Sequence, residues 1–89
     1  MITEAEKDII RDCARKHNVG CVLLFGSSIE PGTAANDVDL GVKGIAPELF
    51  FKFYADLMKH LSKPVDLVDL SRRSLFNDIV EETGLRIYG

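Results

Sequence analysis

The sequence lacks the features that define several protein classes. No segment approaches the ~20 consecutive apolar residues of a membrane-spanning helix, so we expect no association with a membrane. Acidic residues outnumber basic ones by 14 to 11, and the absence of a long basic run disfavours nucleic acid as the main partner. The charged segment Thr3-Glu4-Ala5-Glu6-Lys7 has no apolar run of the kind found in signal peptides. The expected location is the cytoplasm.

Cysteine and histidine are also scarce. Cys13 and Cys21 lie on different predicted elements and do not have a metal-ligand spacing, so they are interpreted as two partly buried thiols. His17 and His60 lie near helix ends, and the sequence predicts no acidic partner for either. Helix capping or a surface position is therefore their assigned role.

The residues that are present favour a compact α/β protein. A chain of 89 residues, 46% of them hydrophobic, suffices for one domain spanning residues 1–89. Apolar periodicity predicts helices at about 3–17, 47–62 and 74–83. Short apolar or alternating runs predict strands at 21–25, 37–42, 65–69 and, at the edge, 85–88. The expected fold class is α/β, with a small mixed sheet of three to four strands covered by helices.

Two predictions concern apolar side chains on these helices. In the last helix, Leu75, Phe76, Ile79 and Val80 are expected to face the core. Phe51 lies off the apolar stripe of the middle helix, and an exposed position for it would indicate a surface for a partner.

Three aspartates are the candidate catalytic and metal-binding residues. Asp37 and Asp39 lie two apart on a predicted strand, so their side chains share a face about 6–7 Å apart. Asp66 lies on another strand and points away from its apolar neighbours; on an adjacent strand it would join them. Three such carboxylates resist ionising together unless a cation is present, and oxygen ligands suit Mg²⁺ or Mn²⁺. An Asp-x-Asp pair by itself is equally typical of a solvated strand face.

The turn after the first strand is a candidate phosphate site. The backbone N–H groups beside Gly26 and the hydroxyl of Ser27 could receive phosphate oxygens where a larger side chain would obstruct them. No Gly-Lys-Ser/Thr follows, and the glycine pattern of a dinucleotide fold is absent, which excludes those two phosphate-binding motifs.

Three segments resemble the polymerase-β-like nucleotidyltransferases, and in particular their minimal (MNT) branch. They are Leu-Leu-Phe-Gly-Ser at 23–27, Asn-Asp-Val-Asp-Leu at 36–40 and Val-Asp-Leu-Val at 65–68. The resemblance extends over nearly the whole chain and implies the nucleotidyltransferase fold. It implies that Asp37 and Asp39 bind metal ions, that Asp66 completes the site and acts as a base, and that Gly26 and Ser27 contact the triphosphate.

The resemblance implies a metal-dependent nucleotidyltransferase that moves a nucleoside monophosphate from ATP or another nucleoside triphosphate to an acceptor hydroxyl, including one on a partner protein. The turn departs from the branch at Glu30, near the position where members commonly carry an arginine. This departure favours an alternative, a catalytically weak or inactive antitoxin-like module that neutralises a helical, HEPN-type partner. A sensor that binds metal or nucleotide without chemistry is a third interpretation.

Overall fold

The structure is a computed structural model that describes residues 1–32 and 36–89. Within these residues the helices are α1 (Glu4–Lys16), α2 (Pro47–His60) and α3 (Leu75–Thr83). The strands are β1 (Cys21–Leu24), β2 (Val38–Lys43), β3 (Val65–Asp69) and β4 (Leu85–Tyr88). Each predicted element is confirmed, with its ends shifted by no more than two residues. The loop predicted after β1 begins with a 3₁₀ turn, Gly26–Ile29, and its positions 33–35 lie outside the described residues.

Local signals in the sequence account for where the helices begin. Thr3 and Glu6 form the expected capping box: Thr3 Oγ1 accepts from the Glu6 N–H at 3.1 Å, and Glu6 Oε1 accepts from the Thr3 N–H at 2.8 Å. Pro47 occupies the first turn of α2, where its missing N–H costs nothing. Ser74 caps α3 by accepting from the Asn77 N–H at 3.0 Å.

The strands form one mixed sheet in the order β3-β2-β1-β4. β1 pairs antiparallel with both β2 and β4, and β2 pairs parallel with β3. The predicted α/β class with a small mixed sheet is therefore confirmed. Because of these directions, β1 ends at the same end of the sheet where β2 and β3 begin. The carboxylates and the Gly26-Ser27 turn lie at this end.

The main core lies on one face of the sheet, under α1 and α2. Val38, Leu40 and Val42 of β2 are buried there, as their alternation predicts. They belong to one buried cluster with side chains of the two helices, including Ile10, Ala14, Phe53 and Leu57. Among the described residues, none of the helices combines the length and the apolar character needed to cross a membrane.

The predicted inward face of α3 is wrong in three of its four positions. Val80 is buried, but Leu75, Phe76 and Ile79 are 80%, 53% and 50% exposed. The reason is the orientation of the helix on the second face of the sheet. There Val80 packs with Leu23 and Leu70, while the polar Asn77 occupies the other buried helical position. Asn77 is held there because its Nδ2 donates to the carbonyl oxygens of Asp69 at 3.2 Å and Arg72 at 2.8 Å.

Candidate active site

Residues of three adjacent strands form a row at one end of the sheet. Asp39 on β2 and Asp66 on β3 are direct partners in the parallel register. On the other side of β2, the Phe25 N–H donates to the Asp39 carbonyl oxygen at 3.1 Å. Asp37 lies immediately before β2. The three predicted aspartates therefore lie at one end of the sheet, beside the Gly26 turn. Their carboxylate oxygens do not all come within 4.8 Å of one another.

The charges of these aspartates act on one another. Asp39 is half-buried, whereas Asp37 and Asp66 are exposed. Burial raises the pKa of the Asp39 carboxyl above its ordinary value, and the negative charges of Asp66 and then Asp37 raise it further. An ionised Asp39 is thus held in an unfavourable environment. A cation bound between the carboxylates would instead stabilise the ionised form of Asp39.

The carboxylate of Asp39 rests directly against Gly26. Gly26 has φ +61°, the left-handed conformation that glycine adopts readily. A Cβ atom added there would lie 2.8 Å from Asp39 Oδ2, closer than two such atoms approach. The glycine therefore adopts the backbone conformation that the turn requires and also leaves space for the Asp39 carboxylate. Ser27 follows it, half-buried, with its carbonyl oxygen accepting from the Glu30 N–H at 3.2 Å.

Ser28 is a positioning residue that the sequence analysis missed. It is fully buried, and its Oγ accepts from the Asp39 N–H at 2.9 Å. The same hydroxyl donates to the Asp37 carbonyl oxygen at 3.3 Å. One side chain of the 3₁₀ turn thus fixes the backbone on both sides of Val38. The available signal was a small hydroxyl residue in a turn, since such side chains often bond to nearby backbone groups.

The exposed side of α3 borders this site. The rings of Phe25 and Phe76 meet edge to face, with their centroids 5.8 Å apart. Phe25 directly precedes Gly26 and is bonded through its backbone to Asp39. Leu75, Phe76 and Ile79, which we call the α3 apolar patch, therefore continue from the end of the sheet that carries the carboxylates.

A second polar cluster lies between α1 and α2 and includes both histidines. His17 is the C-cap residue of α1 and His60 is exposed at the end of α2, as expected, but the cluster supplies an acidic partner that the sequence did not predict. His17 Nε2 lies 3.1 Å from Asp56 Oδ2, and His60 Nδ1 lies 3.1 Å from Asp56 Oδ1. Both histidines therefore have an acidic partner. The missed signal is the spacing: Cys13 and His17, like Asp56 and His60, are four residues apart and share a helix face. Burial opposes ionisation of Asp56, but His17, Lys16 and His60 together lower the pKa of its carboxyl.

Comparison with known proteins agrees with this architecture. Residues 7–89 match the family described as "Polymerase beta, Nucleotidyltransferase". None of the curated proteins matches the chain. A chain of the toxin–antitoxin complex MntA–HepT has a TM-score of 0.73 at 22% identity, covering 98% of this chain and 73% of that one. A mutant of that complex with two aspartate-to-glutamate substitutions gives a TM-score of 0.74 at 21% identity, covering 93% and 72%.

At these identities the solved structures show a shared fold. The family match says more, because residues 7–89 contain all four strands of the sheet and every residue of the candidate site. The resemblance found in the three sequence segments is thereby confirmed. The chain belongs to the polymerase β nucleotidyltransferase family.

Proposed function

We propose that this protein is a metal-dependent nucleotidyltransferase that moves a nucleoside monophosphate from ATP or another nucleoside triphosphate to an acceptor hydroxyl. The observation that carries the proposal is the arrangement of three carboxylates beside a glycine turn. Asp39 and Asp66 are register partners, and Asp37 lies two residues before Asp39. Gly26 leaves no side chain between the turn and the Asp39 carboxylate.

The donor set fits Mg²⁺ or Mn²⁺. Asp37, Asp39 and Asp66 offer oxygen atoms alone, the ligands that these hard cations prefer. The raised pKa of Asp39 supports the fit, because its two acidic neighbours make an ionised Asp39 unfavourable without a positive charge nearby. When bound, the metal neutralises charge that develops on the phosphoryl group and aligns the attacking and leaving oxygens.

The residues of this chain have distinct roles in the proposed reaction. In this proposal Asp66 acts as the base that takes the proton from the acceptor hydroxyl. The acceptor oxygen then forms a bond to the α-phosphorus while the bond to the pyrophosphate oxygen breaks. Gly26 and Ser27 bind the triphosphate, since the glycine allows close approach of phosphate to the backbone. Ser28 holds the backbone of Asp37 and Asp39 in register.

Thermal melting with Mg-ATP or Mn-ATP tests whether the site is assembled. Ligand at 100 times its Kd stabilises a protein by about 2.7 kcal/mol, which corresponds to a rise in Tm of roughly 10–20 °C for a domain of this size. We expect this rise for the native chain and its loss in Asp37→Asn. Asp8→Asn is the matched control, because it removes one exposed carboxylate from α1, where Asp8 pairs with Arg11. An equal rise in Asp37→Asn would contradict the assignment.

A second candidate function is supported by the α3 apolar patch. Three large apolar side chains on one short helix are exposed, which is typical of a surface that another protein covers. The patch adjoins the candidate active site through Phe25 and Phe76. We propose that it docks a helical, HEPN-type partner protein. That partner would be the acceptor if the chain transfers nucleotides, and a neutralised toxin if the chain acts by binding alone.

Substitutions in the patch separate docking from folding. Phe76→Ser and Ile79→Ser are each expected to weaken co-purification of a HEPN-type protein from the same genome by roughly tenfold or more. Burying each such side chain contributes about 1.5–3 kcal/mol. Phe51→Ser is the comparison variant, since Phe51 is a 76% exposed aromatic residue on α2, on the other face of the sheet. Its exposure was expected to indicate a partner surface, so this variant tests that competing surface in the same assay. Loss of the partner in Phe51→Ser, with retention in the α3 variants, would contradict this surface.

The two functions are distinguished by Asp39→Asn. If the chain acts by binding alone, this variant retains both the partner and the neutralising effect. If the partner is neutralised by nucleotide transfer, the variant retains the partner but no longer modifies it. Modification of the partner is measured as the mass of one added nucleoside monophosphate.

A further inference from the structure

The polar cluster between α1 and α2 takes no part in the proposed reaction. The cluster lies between the helices that cover one face of the sheet, the face to which Val38 and Leu40 point. Asp39 stands between these two residues on β2, so its side chain points to the opposite face. Each helix supplies two of its members four residues apart: Cys13 and His17 from α1, Asp56 and His60 from α2. Side chains at this spacing point in the same direction from a helix, so the two pairs converge where the helices pack.

Three of these side chains have the geometry of a ligand set. Among residues 1–32 and 36–89, one group of three Cys, His, Asp or Glu side chains has donor atoms that all lie within 4.8 Å of one another. It consists of Cys13, Asp56 and His60. The same three side chains line a cavity of about 240 Å³ that opens between the helices, together with Ile9, Asp12 and Lys16.

We propose that Cys13, Asp56 and His60 bind a divalent transition-metal ion, and that zinc is the ion that fits them best. A thiolate, an imidazole and a carboxylate are all ligands that zinc accepts, whereas the sulfur and nitrogen donors do not suit Mg²⁺. Three protein ligands leave a fourth position, and the adjoining cavity gives it room for water. Binding exchanges the S–H bond of Cys13 for a metal–sulfur bond and releases one proton to solvent.

The surroundings of the site are compatible with a bound cation. His17 holds Asp56 from the side opposite His60, through Oδ2, and so orients the carboxylate as partners of metal ligands commonly do. Lys16 is a close positive charge that opposes binding, with its Nζ 3.6 Å from Asp56 Oδ2. Its side chain is 69% exposed, so it can move into solvent. The ion would then link α1 to α2 across their packing interface.

Titration with Co²⁺, as a spectroscopic substitute for zinc, tests the site without any nucleotide. As cobalt fills this cluster, the native chain is expected to show the near-ultraviolet charge-transfer absorption of a cobalt–thiolate bond. Cobalt bound at the carboxylates of Asp37, Asp39 and Asp66 would give no such band, because that site contains no thiol. Zn²⁺ should displace the cobalt and abolish the absorption. Loss of an outer-shell partner of a metal ligand commonly weakens metal binding by about 10- to 100-fold, so loss of a ligand should cost at least as much. Cys13→Ala should therefore remove the band and weaken binding by about a hundredfold or more, and His60→Ala by about tenfold or more. Cys21→Ala is the matched control, because Cys21 is the other free thiol and lies on β1, outside the cluster.

Asp39→Asn should leave the cobalt–thiolate band unchanged, which separates this site from the proposed catalytic one. The proposal is overturned if saturating cobalt gives no charge-transfer band, if the band persists in Cys13→Ala, or if it disappears in Cys21→Ala. His60 is 51% exposed in its side chain, so His60→Ala is expected to fold even if the buried Cys13 position does not tolerate alanine. An unchanged affinity in folded His60→Ala would also overturn it.

Discussion

Transfer of an α-labelled nucleotide is expected to fall by roughly a thousandfold or more in Asp39→Asn, because the charge stabilisation that metal ions supply in such reactions amounts to several kcal/mol. The same variant is expected to melt at or above the native temperature when no metal is present. Folding raises the pKa of Asp39 above its unfolded value, so at neutral pH the ionised carboxylate makes the folded state less stable. Asparagine removes that unfavourable charge while keeping a similar shape.

The measurement pairs a transfer assay with melting in a chelator, at a pH well above the folded pKa of Asp39. The destabilising effect of the carboxylate is fully present there and vanishes as the pH falls below the unfolded pKa. Asp8→Asn again serves as the control for a changed net charge, and we expect it to leave transfer unchanged. Unaltered transfer in Asp39→Asn would exclude the proposed chemistry. A large drop in its Tm would mean that Asp39 stabilises the fold through its charge, contrary to its environment.

Most of the fold was predictable because its elements are specified by local signals. The capping box at Thr3, the proline at position 47 and the alternation of Val38, Leu40 and Val42 each act over a few residues. Local signals also placed the strand that carries Asp66. The register that pairs Asp66 with Asp39 required an assumption that β2 and β3 are neighbours, which the parallel pairing confirms.

The errors came from contacts between one helix, strand or turn and another, which the pattern within each element does not show. In α3 the apolar periodicity gave the wrong face, because Asn77 is buried by bonds to the carbonyl oxygens of Asp69 and Arg72. Because these hydrogen bonds satisfy its amide group, the polar Asn77 can occupy a buried position where the sequence pattern predicts an apolar residue. His17 and Asp56 likewise meet only when α1 packs against α2. Ser28 resembles any turn serine until the turn and β2 are seen together.

The two faces of the sheet differ in how much buried apolar packing they carry. α1 and α2 cover one face with most of the buried apolar residues. On the other face, α3 contributes a small buried cluster around Leu23, Leu70 and Val80. The second face therefore has less apolar packing, yet it carries the candidate partner surface next to the carboxylates. Weak coverage by α3 is consistent with a surface that gains further packing from another protein.

Gly26→Ala is expected to lower nucleotide transfer by about a hundredfold, the largest expected loss after that of Asp39→Asn. The expected loss of stability is smaller. A non-glycine residue in the left-handed conformation costs about 1–2 kcal/mol. At Gly26 the added Cβ would also meet Asp39 Oδ2 at 2.8 Å and force the carboxylate to move. Displacing a catalytic group by about 1 Å can lower a rate a hundredfold.

Gly32→Ala separates the two effects of this substitution. Gly32 also has a positive φ, +77°, but within residues 1–32 and 36–89 no atom lies within 4 Å of a Cβ added there. The left-handed conformation should cost each variant about 1–2 kcal/mol, which is roughly 4–8 °C in Tm per kcal/mol for a domain of this size. The contact with Asp39 should add to that loss in Gly26→Ala. Gly26→Ala alone should lose transfer activity and the rise in Tm with Mg-ATP. Equal activity in the two variants would mean that glycine at position 26 serves the turn alone. A selective loss would instead show that the glycine is required because the Asp39 carboxylate lies against it.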